Sequence, residues 1–275
     1  MLDRFHVYVC ARSTIDRPIL ERDLARSPAI AKKDVPLTIL WNQKSASIAF
    51  ASAVKSATAD FLVFTHCDVY FPERWFERLA WEVDRLTQTD RNWAVAGFSG
   101  LTPSGELVGR IWDCSLEPFT RGIYGKALVG PVPIVSTDEM AFVLRRDAGI
   151  TFDPQLPEFH LYATDLILTA ERSGKRSYGV DMPLIHNAKA QLQIGEDYRK
   201  SYRYMIEKWR DRLPVPTTCG PLTSRPFTIS LRRLRIRYKA IFRQTTYSTD
   251  RISDPSAKAR DLGLDQLLLE GMVDG

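Results

Sequence analysis

The chain has 275 residues with a formal net charge of +5, and 44% of its residues are hydrophobic and 26% charged, a balance typical of a globular protein with a sizeable core. The beginning of the chain lacks the basic and apolar regions of a signal peptide, and no run of roughly 18 apolar residues predicts a membrane span. Four scattered cysteines form neither a CxxC pair nor a disulfide framework, so we expect a reducing, cytoplasmic environment.

The first part of the chain alternates predicted strands and helices. Three short apolar runs with β-branched and aromatic residues predict strands at 5–10, 36–41 and 61–65. The charged stretch 16–34 predicts a weak helix with a loop. The Ala- and Ser-rich stretch 46–57 predicts a helix that lies close to the sheet. This order predicts an α/β fold with a mostly parallel central sheet flanked by helices.

Helical spacing of apolar residues continues after Pro72, which suits the first turn of a helix. The Gly- and Pro-rich segment 99–135 is typical of a long binding loop or lid. The remaining predicted elements are strands at 93–98, 141–144 and 177–182, a short helix capped by Thr164 and stopped by Gly174, and a helix over 198–213. We therefore expect a main domain at 1–215 and a C-terminal extension at 216–275.

His66 and Asp68 follow directly on the predicted strand 61–65. Open α/β sheets bind ligands at the carboxyl ends of their strands. A carboxylate at that edge suits a hard divalent cation that also holds phosphate oxygens. The ordinary alternative is an aspartate that caps the next helix, with a histidine beside it.

Further polar residues stand at the edges of predicted elements. Asp138 and Glu139 precede the strand 141–144, and Asp165 falls in the first turn of a helix, where a negative charge is favoured. Alternatively, Asp138 and Glu139 simply belong to a turn, and Asp165 simply complements the helix dipole. Arg12 follows the first strand and has either a diphosphate or solvent as its partner.

Three of the four histidines lie at strand ends or in polar corners near acids, namely His66, His160 and His186. A single histidine of this kind is usually structural. Histidine is also a common ligand of divalent metals, with carboxylate as its hard partner. Three of them near Asp68 and Asp165, at corners that one sheet edge can gather, indicate a metal site.

Several short motifs occur in a fixed order over residues 5–210. They are Cys10-Ala-Arg-Ser13, Asn42 after the second strand, Thr65-His-Cys-Asp68, Thr137-Asp-Glu-Met140, Phe159-His-Leu-Tyr-Ala-Thr-Asp165 and Pro183-Leu-Ile-His-Asn187. Together they resemble the family 2 glycosyltransferases of the GT-A (Rossmann-like) fold, in a bacterial branch with His-x-Asp in place of Asp-x-Asp. Ala51 departs from this pattern, since relatives often carry an asparagine there.

The resemblance implies an inverting transfer of a sugar from a UDP- or GDP-sugar donor, with Mn²⁺ or Mg²⁺ as cofactor. Asp68 then corresponds to the principal metal ligand, His66 to a residue nearer the nucleoside, and His186 to the residue that completes the metal or diphosphate site. Arg12 and Asn42 fall on the donor side.

On the acceptor side, Asp165 matches the catalytic base, which takes a proton from a weakly nucleophilic hydroxyl. Asp165→Asn is then expected to abolish transfer while donor binding stays nearly intact. Asp138 and Glu139 resemble acids that line the acceptor side, and they are the next candidates for the base.

The segment 221–243 is basic, and its apolar residues fall on one helical face. Such a helix suits an anionic membrane surface, which would place the enzyme peripherally on the inner membrane beside a saccharide or lipid-linked acceptor, as in bacterial surface polysaccharide synthesis. Packing on the domain or on a second subunit is the alternative. Nucleic-acid binding is not expected, because no recognised module accompanies the charge.

Two other functions compete with glycosyl transfer. A nucleotidyltransferase on the same fold usually needs a Gly-rich, basic phosphate loop after the first strand, and Ala11-Arg-Ser-Thr-Ile15 is not one. A non-catalytic, membrane-associated binding subunit with a degenerate site is the second alternative.

Overall fold

The computed structural model describes residues 1–115, 122–189, 195–224 and 250–273. The strands are β1 Phe5–Ala11, β2 Leu37–Trp41, β3 Phe61–Thr65, β4 Val69–Tyr70, β5 Trp93–Gly97, β6 Gly100–Leu101, β7 Leu107–Val108, β8 Trp112–Asp113, β9 Val132–Pro133, β10 Ser136–Thr137, β11 Ala141–Arg145, β12 Arg176–Gly179 and β13 Ile185–His186. The α-helices are α1 Arg17–Arg22, α2 Pro28–Ala31, α3 Ala46–Ser56, α4 Trp75–Thr89, α5 Tyr162–Arg172, α6 Glu196–Lys208, α7 Pro255–Asp261 and α8 Leu264–Val273.

A seven-stranded sheet in the order β2-β1-β3-β11-β5-β12-β9 forms the centre of the fold. Strands β1, β2, β3, β5 and β12 run in one direction, whereas β11 and β9 run in the other. The predicted fold class, α/β with a mostly parallel central sheet flanked by helices, is confirmed. Two small three-stranded sheets, β10-β6-β7 and β4-β13-β8, stand beside it.

Strand β3 is buried along its whole length, and its side chains alternate between two cores. Phe61 and Val63 face the core that contains Trp75 of α4, while Leu62 and Phe64 face the core that contains Phe50 of α3. This alternation follows from the two-residue period of a strand. The continuous apolar run of β3 is therefore explained by burial on both faces.

Some element boundaries differ from the sequence predictions. The helix after Pro72 begins only at Trp75, because the backbone of its N-cap, Arg74, is left-handed with a φ of 62°. Helix α5 begins at Tyr162 with Leu161 as its N-cap, so the prediction of Thr164 as the cap is wrong. Part of the segment 99–135 forms short strands of the small sheets instead of a continuous loop.

The described C-terminal residues pack onto the rest of the chain. Val215 pairs with Leu222 across a backbone bridge, and both side chains are buried in the α3-side core. In the last segment, Leu268 of α8 is buried in the α4-side core, and Leu264 is buried beside Trp112. Residues 225–249, which hold most of the basic segment 221–243, lie outside the described residues. None of the described helices has the length and apolar character needed to cross a membrane.

Candidate active site

A cavity of 440 Å³ opens at the carboxyl edge of the central sheet. Strand β11 runs opposite to β3 and pairs Ala141 with Thr65, so the residues just before β11 and just after β3 meet at one edge. The backbone N–H of His66 donates to the carbonyl of Met140 at 2.8 Å and fixes this junction. The cavity is lined by residues from the ends of several elements, among them His66, Asp68, Asp138, Glu139, His160, Leu161, Thr164, His186, Lys189, Tyr198 and Arg251.

The edge brings His66, Asp68 and His186 together, as the sequence predicted. Each offers one ligand atom, and these atoms all lie within 4.8 Å of one another. The β4–β13 pairing places His186 opposite Val69, and the backbone N–H of Asn187 donates to the carbonyl of Asp68 at 2.7 Å. The His-x-Asp segment and a histidine more than a hundred positions later thus form one cluster.

The charges of this cluster are tightly balanced. Burial opposes the charged form of Asp68, but the hydrogen bond and charge of His186 hold its pKa well below the usual range. Burial also opposes protonation of His186, yet Asp113 and Asp68 together raise the pKa of that imidazole well above its ordinary value. Burial lowers the pKa of His66, against the attraction of Asp68. Asp68 is therefore an anion over the whole physiological pH range.

Asp113 is a member of the site that the sequence did not indicate. Its Oδ2 lies 2.8 Å from Nδ1 of His186, because β8 and β13 pair these two residues directly. The backbone N–H of Ser115 donates to Oδ1 of Asp113 at 2.7 Å and holds the carboxylate in place. Nε2 of His186 is left facing Asp68 at 3.5 Å. An acid that orients a metal-ligating histidine is a common second partner in metal sites.

Asp113→Asn is expected to weaken binding of Mn²⁺ by about 10- to 100-fold, because the amide no longer fixes the orientation of His186 or raises its basicity. Titration of Mn²⁺ followed by electron paramagnetic resonance measures the change. Asp84→Asn, at an exposed position paired with Arg4, is the matched control and should bind as the wild type does. An Asp113→Asn protein with wild-type affinity would contradict this role.

The donor set fits a divalent cation. Two imidazoles and one ionised carboxylate converge within 4.8 Å, and such a mixed set of nitrogen and oxygen ligands suits a first-row transition metal. Mg²⁺ takes oxygen ligands almost exclusively and keeps several waters. The donor set is thus one that a divalent cation can use, as the sequence resemblance implies.

Arg251 enters the same cluster from the C-terminal segment, and no sequence signal pointed to it. Its Nη2 lies 2.8 Å from Oδ2 of Asp68. The next residue, Ile252, is held on both sides by Asn187, which accepts from its N–H at 2.9 Å and donates to its carbonyl at 3.0 Å. The side chain of Asn187 also donates to Asp23. These bonds fix the backbone from which Arg251 reaches the cavity.

Two further acids, Asp138 and Glu139, line the same cavity. Glu139 faces the N-terminus of α5, where the N–H of Ala163 lies 3.5 Å from its Oε1. Burial and the neighbouring charge of Asp138 raise the pKa of Glu139 well above its ordinary value, although the α5 amides oppose that rise. Asp138 accepts from the N–H of Met140 at 3.0 Å. A half-buried carboxylate with a raised pKa is what a general base near neutral pH requires.

His160 also lies in the cavity. Its Nε2 is 3.2 Å from Oδ2 of Asp197, and its ring meets the ring of Tyr198 edge-on at 5.5 Å. The next residue, Leu161, has a φ of 66°, a left-handed value that residues other than glycine rarely adopt. This left-handed turn starts α5 and directs both His160 and the α5 amides toward the cavity.

Asp165 lies elsewhere. Its carboxylate accepts from Nζ of Lys208 and from Nε1 of Trp209, each at 2.7 Å, at the contact between α5 and α6. The side chain is almost fully buried there, and Asp165 is not among the described residues that line the cavity. Lys208 also pairs with Asp153 at 2.7 Å. Asp165 thus has the environment of a structural acid.

Arg12 and Asn42 lie at the same sheet edge but outside the described lining of the cavity. They follow β1 and β2, whose carboxyl ends are adjacent because the strands pair in parallel. Asn42, with a φ of 51°, accepts from the N–H of Ser13 at 3.0 Å. The guanidinium of Arg12 is 65% exposed and pairs with Asp16.

No protein-family model matches the chain. One curated protein, described as "ATP synthase subunits region ORF 6" of Fuscovulum blasticum, is 29% identical over 157 residues, which are 56% of this chain and 61% of that protein. The match thus spans less than two thirds of that relative's length.

Among solved structures, the chain is similar to a mannosyltransferase of Pyrobaculum calidifontis in complex with GDP-Man and Mn²⁺, at 12% identity and a TM-score of 0.42, covering 98% of this chain and 72% of that one. It is also similar to GalNAc-T7 with UDP, GalNAc and Mn²⁺, at 14% identity and a TM-score of 0.46, over 76% and 48% of the two chains. A third is S. aureus TarS 1–349, at 13% identity and a TM-score of 0.41, over 87% and 72%. Overlaps of this quality define neither a family nor a substrate.

Proposed function

We propose that this protein is a metal-dependent, inverting glycosyltransferase of the GT-A type, which moves a sugar from a UDP- or GDP-sugar to a hydroxyl acceptor. The observation that supports this best is the composition of the cavity. The cavity is lined by the His66–Asp68–His186 cluster, whose ligand atoms converge, and also by Asp138 and Glu139. A site for a cation with phosphate and a site for a base therefore share a single cavity.

Each side chain has a chemical task in this proposal. Asp68, His66 and His186 hold Mn²⁺, with Asp113 orienting His186. When bound, the cation neutralises negative charge on the departing diphosphate. Arg12 and Asn42 serve the nucleotide, beyond the metal cluster along the sheet edge. The acceptor saccharide or lipid-linked sugar enters from the side of Glu139 and His160.

Glu139 replaces Asp165 as the proposed base. A general base must lie within hydrogen-bond reach of the acceptor hydroxyl, and Glu139 lines the cavity while Asp165 is occupied by Lys208 and Trp209. The hydroxyl donates its proton to Glu139 as its oxygen forms the bond to the anomeric carbon. Asp138, half-buried beside it, contacts acceptor hydroxyls.

The proposal is tested by a thermal-shift panel of nucleoside diphosphates with and without Mn²⁺. Ligand at about 100 times its Kd should raise Tm by about 5 °C, for UDP or GDP but not for ADP, and only when Mn²⁺ is present. Hydrolysis or transfer from the matching nucleotide sugar should follow the same selectivity. A panel in which no nucleotide shifts Tm, with or without metal, would contradict the proposal.

A nucleotidyltransferase remains the competing enzyme. It would bind a nucleoside triphosphate and release pyrophosphate. Triphosphates added to the same panel test the binding, and a pyrophosphate assay tests the release. The turn after β1, from Arg12 to Asp16, holds no glycine, so it is not the Gly-rich phosphate loop that this class usually needs. Glycosyl transfer is therefore the better supported of the two.

A further inference from the structure

Arg251 and Asp68 form an ion pair at the position where the metal ligands converge. The contact is 2.8 Å long, and the side chains of Arg251 and Asp68 are only 16% and 12% exposed. A buried carboxylate in a low-dielectric site is costly unless a cation faces it. Arg251 supplies that cation from within the chain.

The backbone around Arg251 is fixed on both sides. Asn187 clamps Ile252 through its N–H and its carbonyl, and Asp254 caps α7 by accepting from the N–H of Ala257 at 3.0 Å. Helix α7 is anchored by the buried Ala259, and α8 by the buried Leu264 and Leu268. Arg251 thus reaches Asp68 from a docked segment and not from a free tail.

The guanidinium keeps unused hydrogen-bonding capacity. Nε of Arg251 is buried and has no hydrogen-bond partner among the described residues, although Nη2 is bound to Asp68. The planar fork of arginine matches pairs of oxygens on phosphate as well as on carboxylate. Arg251 lines the same cavity as His66 and Lys189, so an anion in that cavity lies within its reach.

We infer that Arg251 is a built-in counter-cation of this site, which pairs with Asp68 in the free protein, competes with a divalent metal ion for that carboxylate, and pairs with diphosphate oxygens when it is released. This inference rests on the proposed function, since it assigns a diphosphate to the cavity. It explains how the buried carboxylate of Asp68 is stabilised when no metal ion is bound. It also makes metal binding and nucleotide binding depend on each other, because both change the partner of one arginine.

Two binding measurements on the full chain test the inference, and neither depends on turnover. Arg251→Gln removes the competing charge, so Mn²⁺ without nucleotide should bind about 3- to 10-fold more tightly, as measured by electron paramagnetic resonance. In saturating Mn²⁺, UDP or GDP should bind about 10- to 100-fold more weakly by calorimetry, because a charge-assisted bond to phosphate is lost.

Matched variants separate this effect from general changes in charge or folding. Arg260→Gln makes the same change at an exposed position of α7 in the same segment and should leave both affinities unchanged. Arg251→Lys keeps the positive charge without the fork, so Mn²⁺ should bind as in the wild type and the nucleotide with intermediate affinity. Thermal unfolding of each variant shows whether the C-terminal segment stays docked.

The outcomes are distinct from those of the proposed function. If the wild type binds neither Mn²⁺ nor UDP or GDP, the proposed function and this inference both fall. If the wild type binds them and Arg251→Gln titrates like Arg260→Gln, or changes only one of the two affinities, this inference alone is overturned.

Discussion

Asp68→Asn is expected to abolish detectable Mn²⁺ binding and to lower sugar transfer by at least about 10³-fold. The carboxylate is the only acid among the three converging ligands. Its negative charge lets the site bind a cation more tightly than the two imidazoles would alone. An amide of the same size keeps the packing but loses that charge. It also leaves Arg251 and His186 facing each other without their common anion.

The measurement is a paired titration of Mn²⁺ and assay of transfer on the same preparations. Asp60→Asn is the control, because it makes the same substitution just before β3 at a side chain that is 60% exposed. It should retain wild-type values for both quantities. If Asp68→Asn kept its metal affinity, the cluster at the end of β3 would not be the metal site.

Glu139→Gln is expected to lower transfer by between about 10² and 10⁴-fold while the affinity for donor and metal stays unchanged. Glutamine has the size of glutamate but does not accept the proton of the acceptor hydroxyl. The pH profile provides a second signature. Burial and Asp138 raise the pKa of Glu139, so the rate of transfer should rise with pH at values well above the usual carboxylate range. The variant should not show this rise.

Asp165→Asn distinguishes the base suggested by the motif from the one suggested by the geometry. With its carboxylate held by Lys208 and Trp209, we expect the variant to lose about 1–3 kcal/mol of unfolding free energy, because the buried hydrogen bonds that the carboxylate accepts are weakened or lost. The turnover of the folded fraction should remain close to the wild type. Denaturant unfolding and single-turnover transfer measure the two quantities separately. A variant that folds as stably as the wild type but shows no transfer would indicate that Asp165 is the catalytic base.

The proposed competition at Arg251 adds a constraint to these experiments. Because Arg251 pairs with Asp68, metal titrations on the free protein and on the nucleotide complex should give different affinities. A comparison of variants is therefore informative only when both states are measured.

Much of this fold was readable from local patterns. Strand β3 was predicted at its observed bounds, Phe61–Thr65, because a strand buried on both faces must be apolar at every position. Helix α3 was predicted to within one residue, since Ser45 caps its start by accepting from the N–H of Ile48. The start of α5 was missed because its left-handed entry at Leu161 is not a preference of leucine, and the surrounding packing imposes it.

The convergence of His66, Asp68 and His186 was predicted for a related reason. Side chains that follow parallel strands share one edge of the sheet, so His66 and Asp68 were expected near other strand-end residues. The position of His186 at the end of its own apolar step was likewise a local signal. The same reasoning also grouped His160 and Asp165 with these three. His160 lines the cavity without being one of the converging ligands, and Asp165 is not among the described residues of the lining.

The sequence by itself determined the α/β class and the main strands, and it pointed to His66, Asp68 and His186 as neighbours, because hydrophobic periodicity and strand ends are properties of short segments. Only the tertiary structure decided that Asp113 orients His186, 73 positions away, and that Arg251 pairs with Asp68, 183 positions away. It also decided that the carboxylate of Asp165 contacts Lys208 of α6 while Glu139 lines the cavity. These assignments depend on which segments pair and pack across the whole chain, and no local pattern of residue types carries that information.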